Sequence, residues 1–229
     1  MNQEEMKRVA AEKAVEYIED GMIIGLGTGS TMRYALKKIG ELVSQGLQIK
    51  AIPTSLQTKK IAKQENIPLT TLEEYPEIDL TIDGADEVDS NLNLIKGGGG
   101  ALTREKIVAY HSKREIIVVD ETKVVKSLGI DFPLPVEVVK FGWTATKKAL
   151  EEFGCNVTLR RIMDEPYITD NGNYILDCEF DRIENPEELE REINSIPGVV
   201  ENGLFIGLAD DVIVGSKRGV ITLEREITT

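Results

Sequence analysis

The sequence is poor in the residues that build most metal centres, disulfide frameworks and hydrolytic triads. Its 229 residues include one histidine, His111, and two cysteines, Cys155 and Cys178. A single imidazole excludes a multi-histidine metal site and gives a Ser-His triad no support. The two cysteines form no CxxC pair and are too few for a disulfide framework. We therefore expect both of them to be buried thiols.

Positive charge is also scarce. The chain has 27 Lys and Arg against 40 Asp and Glu, a formal net charge of −13. Nucleic acids and anionic membranes require a basic face, so we expect neither as a partner. A small anionic substrate remains compatible with this charge if a local pocket supplies cations.

Long apolar runs are missing. No segment approaches the roughly 20 apolar residues of a membrane span, and the acidic start at Met1–Glu5 lacks the apolar core of a signal peptide. With 41% hydrophobic residues the composition is that of an ordinary globular protein, and the length suits one or two domains. We expect a cytoplasmic protein.

One glycine-rich segment departs from this ordinary composition. The apolar strand at 80–82 ends at the turn signal Asp83-Gly84, and four consecutive glycines, Gly97 to Gly100, precede a predicted helix that starts at Ala101. Each glycine costs roughly 0.5–1 kcal/mol relative to alanine in regular structure. A glycine turn that enters a helix exposes backbone N–H groups and is suited to binding an anion.

Charged residues flank these glycines: Asp83, Asp86, Lys96 and Glu105. One cation and several carboxylates around exposed amides provide what proton transfer next to a carbonyl requires. The alternative is a hairpin with a flexible glycine loop and solvated charges.

A calcium loop starting at Asp89 is a second alternative for this segment. Its oxygen ligands would stand at the first, third and fifth positions of the loop. The sixth and twelfth positions hold Leu94 and Gly100 instead of Gly and Glu, which disfavours calcium.

A second turn, residues 27–31, follows a predicted strand at 22–26 and precedes a predicted helix from Met32 to about Ser44. Ser30 breaks the GxGxxG pattern, and no lysine completes a P-loop. A hydroxyl-rich turn at a helix N-terminus suits a monophosphate. A tight strand-to-helix connection without a ligand is the alternative.

Strands and helices alternate along the first part of the chain, which predicts a parallel sheet with helices on both faces. Ligands bind beyond the carboxyl ends of such strands, where the turns after Leu26 and Ile82 both lie. The further predicted strands are 48–52, 68–72, 91–95 and 115–119, and the further helices are 3–19 and 56–64.

The pattern of residues 132–203 predicts a second domain of the α+β class. Strands at 134–139, 156–162, 173–180 and 198–202 and helices at 143–153 and 186–195 give the order β-α-β-β-α-β of a ferredoxin-like unit. Within it we expect Trp143 in the core, a hairpin turn at Asn171–Asn173, Asn185 as a helix cap and Pro186 at the first helical position. We interpret the unit as a lid or an oligomer contact.

The segment from Asp83 to Lys106 resembles the signature of type A ribose-5-phosphate isomerases, in which DGAD and KGGG followed by Glu carry the active site. The resemblance runs along the whole chain, with the specific motifs in its first 125 residues. It implies interconversion of D-ribose 5-phosphate and D-ribulose 5-phosphate through an enediolate. It also implies a Rossmann-like α/β domain, residues 1–131 plus 204–229, whose last strands (205–208, 212–214 and 220–223) rejoin the first sheet.

The resemblance also implies roles for individual residues. Glu105 would be the base, Lys96 would offset the enediolate charge, Asp83 would assist ring opening and Asp86 would hold hydroxyls. The amides of Gly97 to Gly99 would bind the oxyanion. The substrate would further be lined by Thr28, Gly29, Ser30, Thr31, Gly84, Ala85, Lys123 and Lys7. Of these, Ser30, Thr31, Lys123 and Lys7 would hold the phosphate, although the two lysines alone also fit solvated surface charges.

No metal or cofactor is implied, and the expected assembly is a homodimer or a tetramer. Two other classes remain: a sugar-phosphate sensor, and a related enzyme such as a sugar-phosphate deaminase or an acyl-CoA transferase. A sensor in a transcriptional regulator would add a basic helix-turn-helix, which the acidic N-terminal segment does not show. The single histidine disfavours a deaminase that opens its sugar ring with histidine.

Overall fold

The computed structural model describes residues 1–224. The helices are α1 (Gln3–Val15), α2 (Met32–Ser44), α3 (Leu56–Gln64), α4 (Leu102–Tyr110), α5 (Trp143–Glu151) and α6 (Pro186–Asn194), with a 3-10 turn at Glu121–Lys123. The strands are β1 (Ile23–Leu26), β2 (Lys50–Pro53), β3 (Leu80–Asp83), β4 (Glu87–Val88), β5 (Leu94–Ile95), β6 (Glu115–Asp120), β7 (Leu134–Val138), β8 (Asn156–Leu159), β9 (Arg161–Ile162), β10 (Glu165–Pro166), β11 (Tyr174–Glu179), β12 (Val199–Asn202), β13 (Leu204–Phe205), β14 (Asp211–Ser216) and β15 (Gly219–Glu224).

The main sheet has the strand order β15-β14-β6-β3-β1-β2. Every neighbouring pair is parallel except β14 and β15, which confirms the predicted parallel sheet. The predicted strand at 68–72 is wrong, because only Leu69 forms a bridge, to Ala51. The Thr70 hydroxyl donates to the carboxylate of Glu74 at 2.7 Å, and the chain turns away there.

Both faces of this sheet are buried. Ile116 and Val118 of β6 pack with α1 and α2, and Ile117 and Val119 pack on the opposite face with α4. A strand covered on both faces reads as a continuous apolar run, as β6 does. Helix α1 ends at Val15, four residues earlier than predicted, although Ile18 stays buried.

Helix α1 lies directly against β14. A Cβ atom at Gly215 would lie only 1.9 Å from the carbonyl oxygen of Met6, so only glycine permits this approach. At the start of the helix, Asn2 and Glu5 form a reciprocal capping box. The contact joins the first helix of the chain to a strand near its end.

A four-stranded antiparallel sheet has the order β12-β7-β11-β8 and carries α5 and α6. Its core includes Leu134, Leu176 and Ile193, together with the unbridged and buried Cys155 and Cys178 that the sequence predicted.

One prediction for this sheet is wrong. The predicted strand at 156–162 breaks at Arg160, after which β9 and β10 form a separate hairpin. At this break, the side chain of Arg160 donates to the carboxylate of Asp177. Asn185 occupies the cap position of α6, as predicted, although its side chain accepts no capping hydrogen bond. Pro186 is at the first helical position, as predicted.

The third sheet is small, with the order β13-β5-β4. The predicted strand at 91–95 shortens to two residues, because the carboxylate of Asp89 accepts the N–H groups of Asn91 and Asn93 and closes a turn. Residues 205–208 do not rejoin the main sheet, since β13 pairs with β5, whereas β14 and β15 do rejoin it. Within residues 1–224, no helix is both long and apolar enough to cross a membrane.

Candidate active site

The carboxyl ends of β1, β3 and β6 open onto a cavity of about 190 Å³. This volume is below the roughly 300–1,000 Å³ typical of pockets for drug-sized ligands, so the cavity suits a small metabolite. It is lined by Gln3, Lys7, Thr28, Gly29, Ser30, Thr31, Gly84, Ala85, Asp86, Lys96, Gly97, Gly99, Glu105, Val119, Asp120 and Lys123.

Three charged side chains form a buried cluster at the inner end of the cavity. The Nζ of Lys96 lies 3.0 Å from Oδ2 of Asp83 and 3.4 Å from Oε1 of Glu105. The same ammonium donates to the carbonyl oxygen of Gly84 at 2.5 Å. Relative side-chain exposures are 2% for Lys96, 1% for Asp83 and 5% for Glu105, so the charges are almost completely removed from water.

Burial sets the protonation behaviour of this cluster. Desolvation, with help from the nearby Asp83 charge, raises the pKa of Glu105 to about 8, although Lys96 pulls in the other direction. Burial alone would lower the pKa of Lys96, but the attraction of Asp83 and Glu105 outweighs it and raises that pKa. Lys96 therefore stays charged, while the pKa of Glu105 lies in a range where a carboxyl group can both accept and release a proton near neutral pH.

Asp83 ties two loops together. Its Oδ1 accepts the N–H of Thr28 at 3.1 Å and that of Gly84 at 2.7 Å. A Cβ atom at Gly27 would lie 1.9 Å from the same oxygen, so the first loop must carry glycine there. The turns after β1 and β3 are thereby held in one fixed arrangement.

The glycine run has a different requirement at each position. Gly97 and Gly100 have φ values of +106° and +77°, which disfavour other residues. The N–H of Gly98 donates to Oδ2 of Asp86 at 2.7 Å, so this amide is occupied within the protein. Gly99 lines the cavity, and a Cβ atom there would meet only a methyl carbon of Thr28, at 3.6 Å.

The outer end of the cavity suits an anion. No side chain caps the N-terminus of α2, where Thr31 occupies the cap position, and its first turn has no acidic residue. Such a helix start favours negative charge. Lys7 and Lys123 both line this cavity, and the ammonium of Lys7 is paired with Glu4 at 2.8 Å.

All but two of the residues that the sequence singled out line the cavity. Asp83 and Gly98 do not line it, although Asp83 contacts Lys96 and the N–H of Gly98 contacts Asp86, which both do. Thr28 lines it, but its hydroxyl faces inward, to Thr54 at 2.9 Å and Ser55 at 2.8 Å.

Sequence reasoning missed Gln3, Val119 and Asp120. The position of Asp120 at the end of a central strand was an available signal, whereas nothing local marks Gln3. Within residues 1–224, no group of three or more His, Cys, Asp or Glu side chains is placed to hold a metal ion.

Comparison with known proteins gives consistent matches. The family model for ribose 5-phosphate isomerase A (phosphoriboisomerase A) matches residues 50–219. The ribose-5-phosphate isomerase A of Bacillus mycoides is 51% identical over 216 residues, 94% of this chain and 97% of that protein.

Solved structures agree with this relationship. A D-ribose-5-phosphate isomerase in complex with phospho-erythronic acid superimposes with a TM-score of 0.96 at 48% identity, covering 98% of this chain and 100% of the other. The ribose 5-phosphate isomerase A of Methanocaldococcus jannaschii gives 0.92 at 46% identity, with 96% and 99% covered. Since near-complete relatives share about half of the residues and the same mixed α/β fold, the chain belongs to the ribose 5-phosphate isomerase A family.

Proposed function

We propose that Glu105 is the general base in the reaction of this family, the interconversion of D-ribose 5-phosphate and D-ribulose 5-phosphate in the pentose phosphate pathway. The observation that carries the assignment is the position of Glu105, which lines the cavity and has a side chain that is 5% exposed, with its carboxylate 3.4 Å from the Lys96 ammonium. Burial raises the pKa of Glu105 to about 8, which suits a group that must both take up and release a proton.

The reaction moves one proton between neighbouring carbons. Glu105 removes the C2 proton of the open-chain aldose, and the electrons of that bond form an enediolate with negative charge on oxygen. Glu105 then returns the proton to C1 while the hydroxyl proton on O2 passes to O1, which gives the ketose. Lys96, held by Asp83 at 3.0 Å, stabilises the negative charge of the intermediate.

The other polar groups prepare the sugar. Asp83 assists ring opening through the Lys96 ammonium that it contacts, and Asp86 holds sugar hydroxyls at the cavity wall. The N–H groups of Gly97 and Gly99, which both line the cavity, are the amides of the glycine run that remain for the developing oxyanion, because the N–H of Gly98 is bound to Asp86. This narrows the oxyanion role that the sequence assigned to Gly97, Gly98 and Gly99 together.

The phosphate binds at the outer end, against the start of α2. Ser30 and Thr31 supply hydroxyls, Gly29 supplies close backbone, and Lys7 and Lys123 supply positive charge. The uncapped first turn of the helix adds its free N–H groups.

We propose that the reaction needs no metal, because the Lys96 ammonium and the glycine amides supply the positive field. The test is an assay of ribose 5-phosphate conversion before and after treatment with EDTA, with Glu105→Gln as the paired variant. Undiminished turnover in EDTA and a large loss in the variant support the proposal. Loss of turnover in EDTA, or an active variant, contradicts it.

We further propose two domains, a Rossmann-like one at 1–131 plus 204–229 and a ferredoxin-like one at 132–203. Residues 225–229 lie outside the described residues. The strand order β12-β7-β11-β8 supports the ferredoxin-like topology, since it places the domain's four strands in the order fourth, first, third, second. Trp143 packs on this domain's core, with its ring edge-on to Tyr174.

We propose a cytoplasmic homodimer, with a tetramer as the alternative. Phe141 and Met163 of the second domain are 94% and 93% exposed, which supports an apolar contact on that domain. Sedimentation analysis of the wild-type protein and of Phe141→Ser tests the assembly. A monomeric wild type contradicts it.

A further inference from the structure

Arg160 joins the second domain to the glycine run. Its Nη1 donates to the carbonyl oxygens of Gly97 and Gly98, at 2.7 and 3.2 Å. Its Nε and Nη2 bind the two carboxylate oxygens of Asp177 on β11, at 2.9 and 2.5 Å. The side chains of Arg160 and Asp177 are only 15% and 16% exposed. Such a two-point ion pair fixes the plane of the guanidinium, which leaves Nη1 aimed at the glycine backbone.

The two carbonyl contacts determine where the neighbouring N–H groups point. In a planar trans peptide the C=O and the N–H point in opposite directions, and residues 1–224 contain no cis peptide bond. With the carbonyl of Gly97 on Arg160, the N–H of Gly98 faces the other side, where it donates to Oδ2 of Asp86 at 2.7 Å. With the carbonyl of Gly98 on Arg160, the N–H of Gly99 also faces away from the arginine.

The N–H of Gly99 is free to act on a ligand. Gly99 lines the cavity, and its N–H donates to no other group among residues 1–224. A donor held in place before the substrate arrives costs no reorganisation when charge develops on an oxygen, which is the basis of oxyanion stabilisation. The guanidinium charge on the carbonyl side also polarises each peptide, which strengthens its N–H as a donor.

We propose that Arg160, held by Asp177, is a positioning residue for the isomerase reaction. It orients two peptides of the glycine run so that the N–H of Gly98 fixes Asp86 and the N–H of Gly99 faces the oxyanion of the enediolate. This inference rests on the proposed roles of Asp86 and the glycine run. It gives the second domain a part in the chemistry, although none of its residues lines the cavity.

The test compares two ligands that differ only at the reacting end. Phospho-erythronic acid has a carboxylate there, which resembles the charged enediolate, whereas erythritol 4-phosphate has a neutral alcohol. Calorimetry should show that Arg160→Ala weakens binding of the acid by about tenfold or more, the size expected for one lost charge-assisted hydrogen bond. Binding of the alcohol should change little. The kcat for ribose 5-phosphate should fall more than KM rises.

Two further variants separate positioning from a structural role. Arg161→Ala removes the exposed neighbouring arginine, whose side chain donates within residues 1–224 to the carbonyl of Asp164 in its own hairpin, and the variant should bind both ligands like the wild type. Arg160→Lys keeps the charge and should recover part of the acid affinity. It is also the variant to measure if Arg160→Ala does not fold.

Three outcomes overturn the inference. If Arg160→Ala loses affinity for the acid and the alcohol equally, the substitution has a general structural effect. If neither affinity changes, the contact of Arg160 with the glycine run does not contribute to ligand binding. In both cases an active wild type that prefers the acid leaves the proposed function intact. If the wild type turns over ribose 5-phosphate but does not bind the acid more tightly than the alcohol, the glycine run does not stabilise the oxyanion. That result contradicts this inference as well.

Discussion

The ammonium of Lys96 lies 3.4 Å from the carboxylate of Glu105, and both side chains are almost fully buried. Two buried carboxylates, Asp83 and Glu105, share this one cation. The cluster therefore has a surplus of negative charge when all three groups are ionised, and burial together with the neighbouring charges raises the pKa of both carboxylates. Glu115 is also buried nearby, and neither of its carboxylate oxygens is hydrogen-bonded within the described chain. Its pKa is raised as well, first by burial and then by the negative charge of Asp83.

Glu105→Gln should abolish most of the activity, because the amide cannot accept the C2 proton. General-base catalysis typically contributes about 10²–10⁴ in rate, equivalent to roughly 3–5 kcal/mol of barrier. The measurement is kcat for ribose 5-phosphate, with the exposed Glu188→Gln on α6 as control. A variant with near-wild-type kcat would remove Glu105 from the role of base.

The pH dependence of kcat/KM should reflect the raised pKa of Glu105. Only the ionised carboxylate can accept a proton, so kcat/KM should rise with pH and level off above about 8. Because the cluster is coupled, the inflection is a property of the group as a whole. A profile that is already flat between pH 5 and pH 9 contradicts the burial argument.

Stability should change in the opposite direction over the same range. The pKa of Glu105 is about 8 in the folded state against an ordinary value of 4.5, so the folded state holds a proton that the unfolded state has released. Between these two values, rising pH therefore lowers the free energy of unfolding. Glu105→Gln carries no such proton and should be more stable than the wild type at pH 8, by on the order of 1 kcal/mol or more. Urea unfolding at pH 5 and pH 8 measures both proteins, and an equal pH dependence in the two would refute the linkage.

Lys123→Ala should raise KM more than it lowers kcat. In the proposed site Lys123 holds the phosphate, which is bound in the ground state and the transition state alike, so the loss of this cation should weaken binding of both equally. Lys126→Ala is the matched control, since Lys126 is exposed on the same segment and does not line the cavity. An unchanged KM in Lys123→Ala would place that lysine outside the phosphate site.

Neighbouring glycines should respond very differently to alanine. A Cβ atom at Gly98 would lie 2.6 Å from Oδ1 of Asp86 and 2.9 Å from the ring of Phe132, whereas one at Gly99 meets nothing closer than 3.6 Å. Gly98→Ala should therefore displace Asp86 and lower kcat by an order of magnitude or more, at a stability cost of about 1–3 kcal/mol. Gly99→Ala should fold like the wild type and mainly raise KM, because its methyl group enters the cavity. Steady-state kinetics and thermal unfolding distinguish the two, and similar behaviour of both variants would contradict the geometry.

The sequence predicted well those elements that depend on residues close together in the chain. The bounds of α2 and α3 follow from their apolar period, and the cavity position follows from turns at the ends of adjacent parallel strands. Features that depend on distant partners were missed. The inward hydroxyl of Thr28 depends on Thr54 and Ser55, and the contact of Arg160 with the glycine run spans more than 60 residues. No window of sequence contains both partners of such contacts.

The packing of α1 on β14 has a consequence for the order in which the protein matures during synthesis. Every residue that lines the cavity precedes Val124 in the chain. Yet the helix that carries Lys7 rests on a strand that begins at Asp211. When all the cavity-lining residues have been synthesised, the strand against which α1 packs has not yet been made. Catalytic competence should therefore arise late in translation, when that strand has emerged.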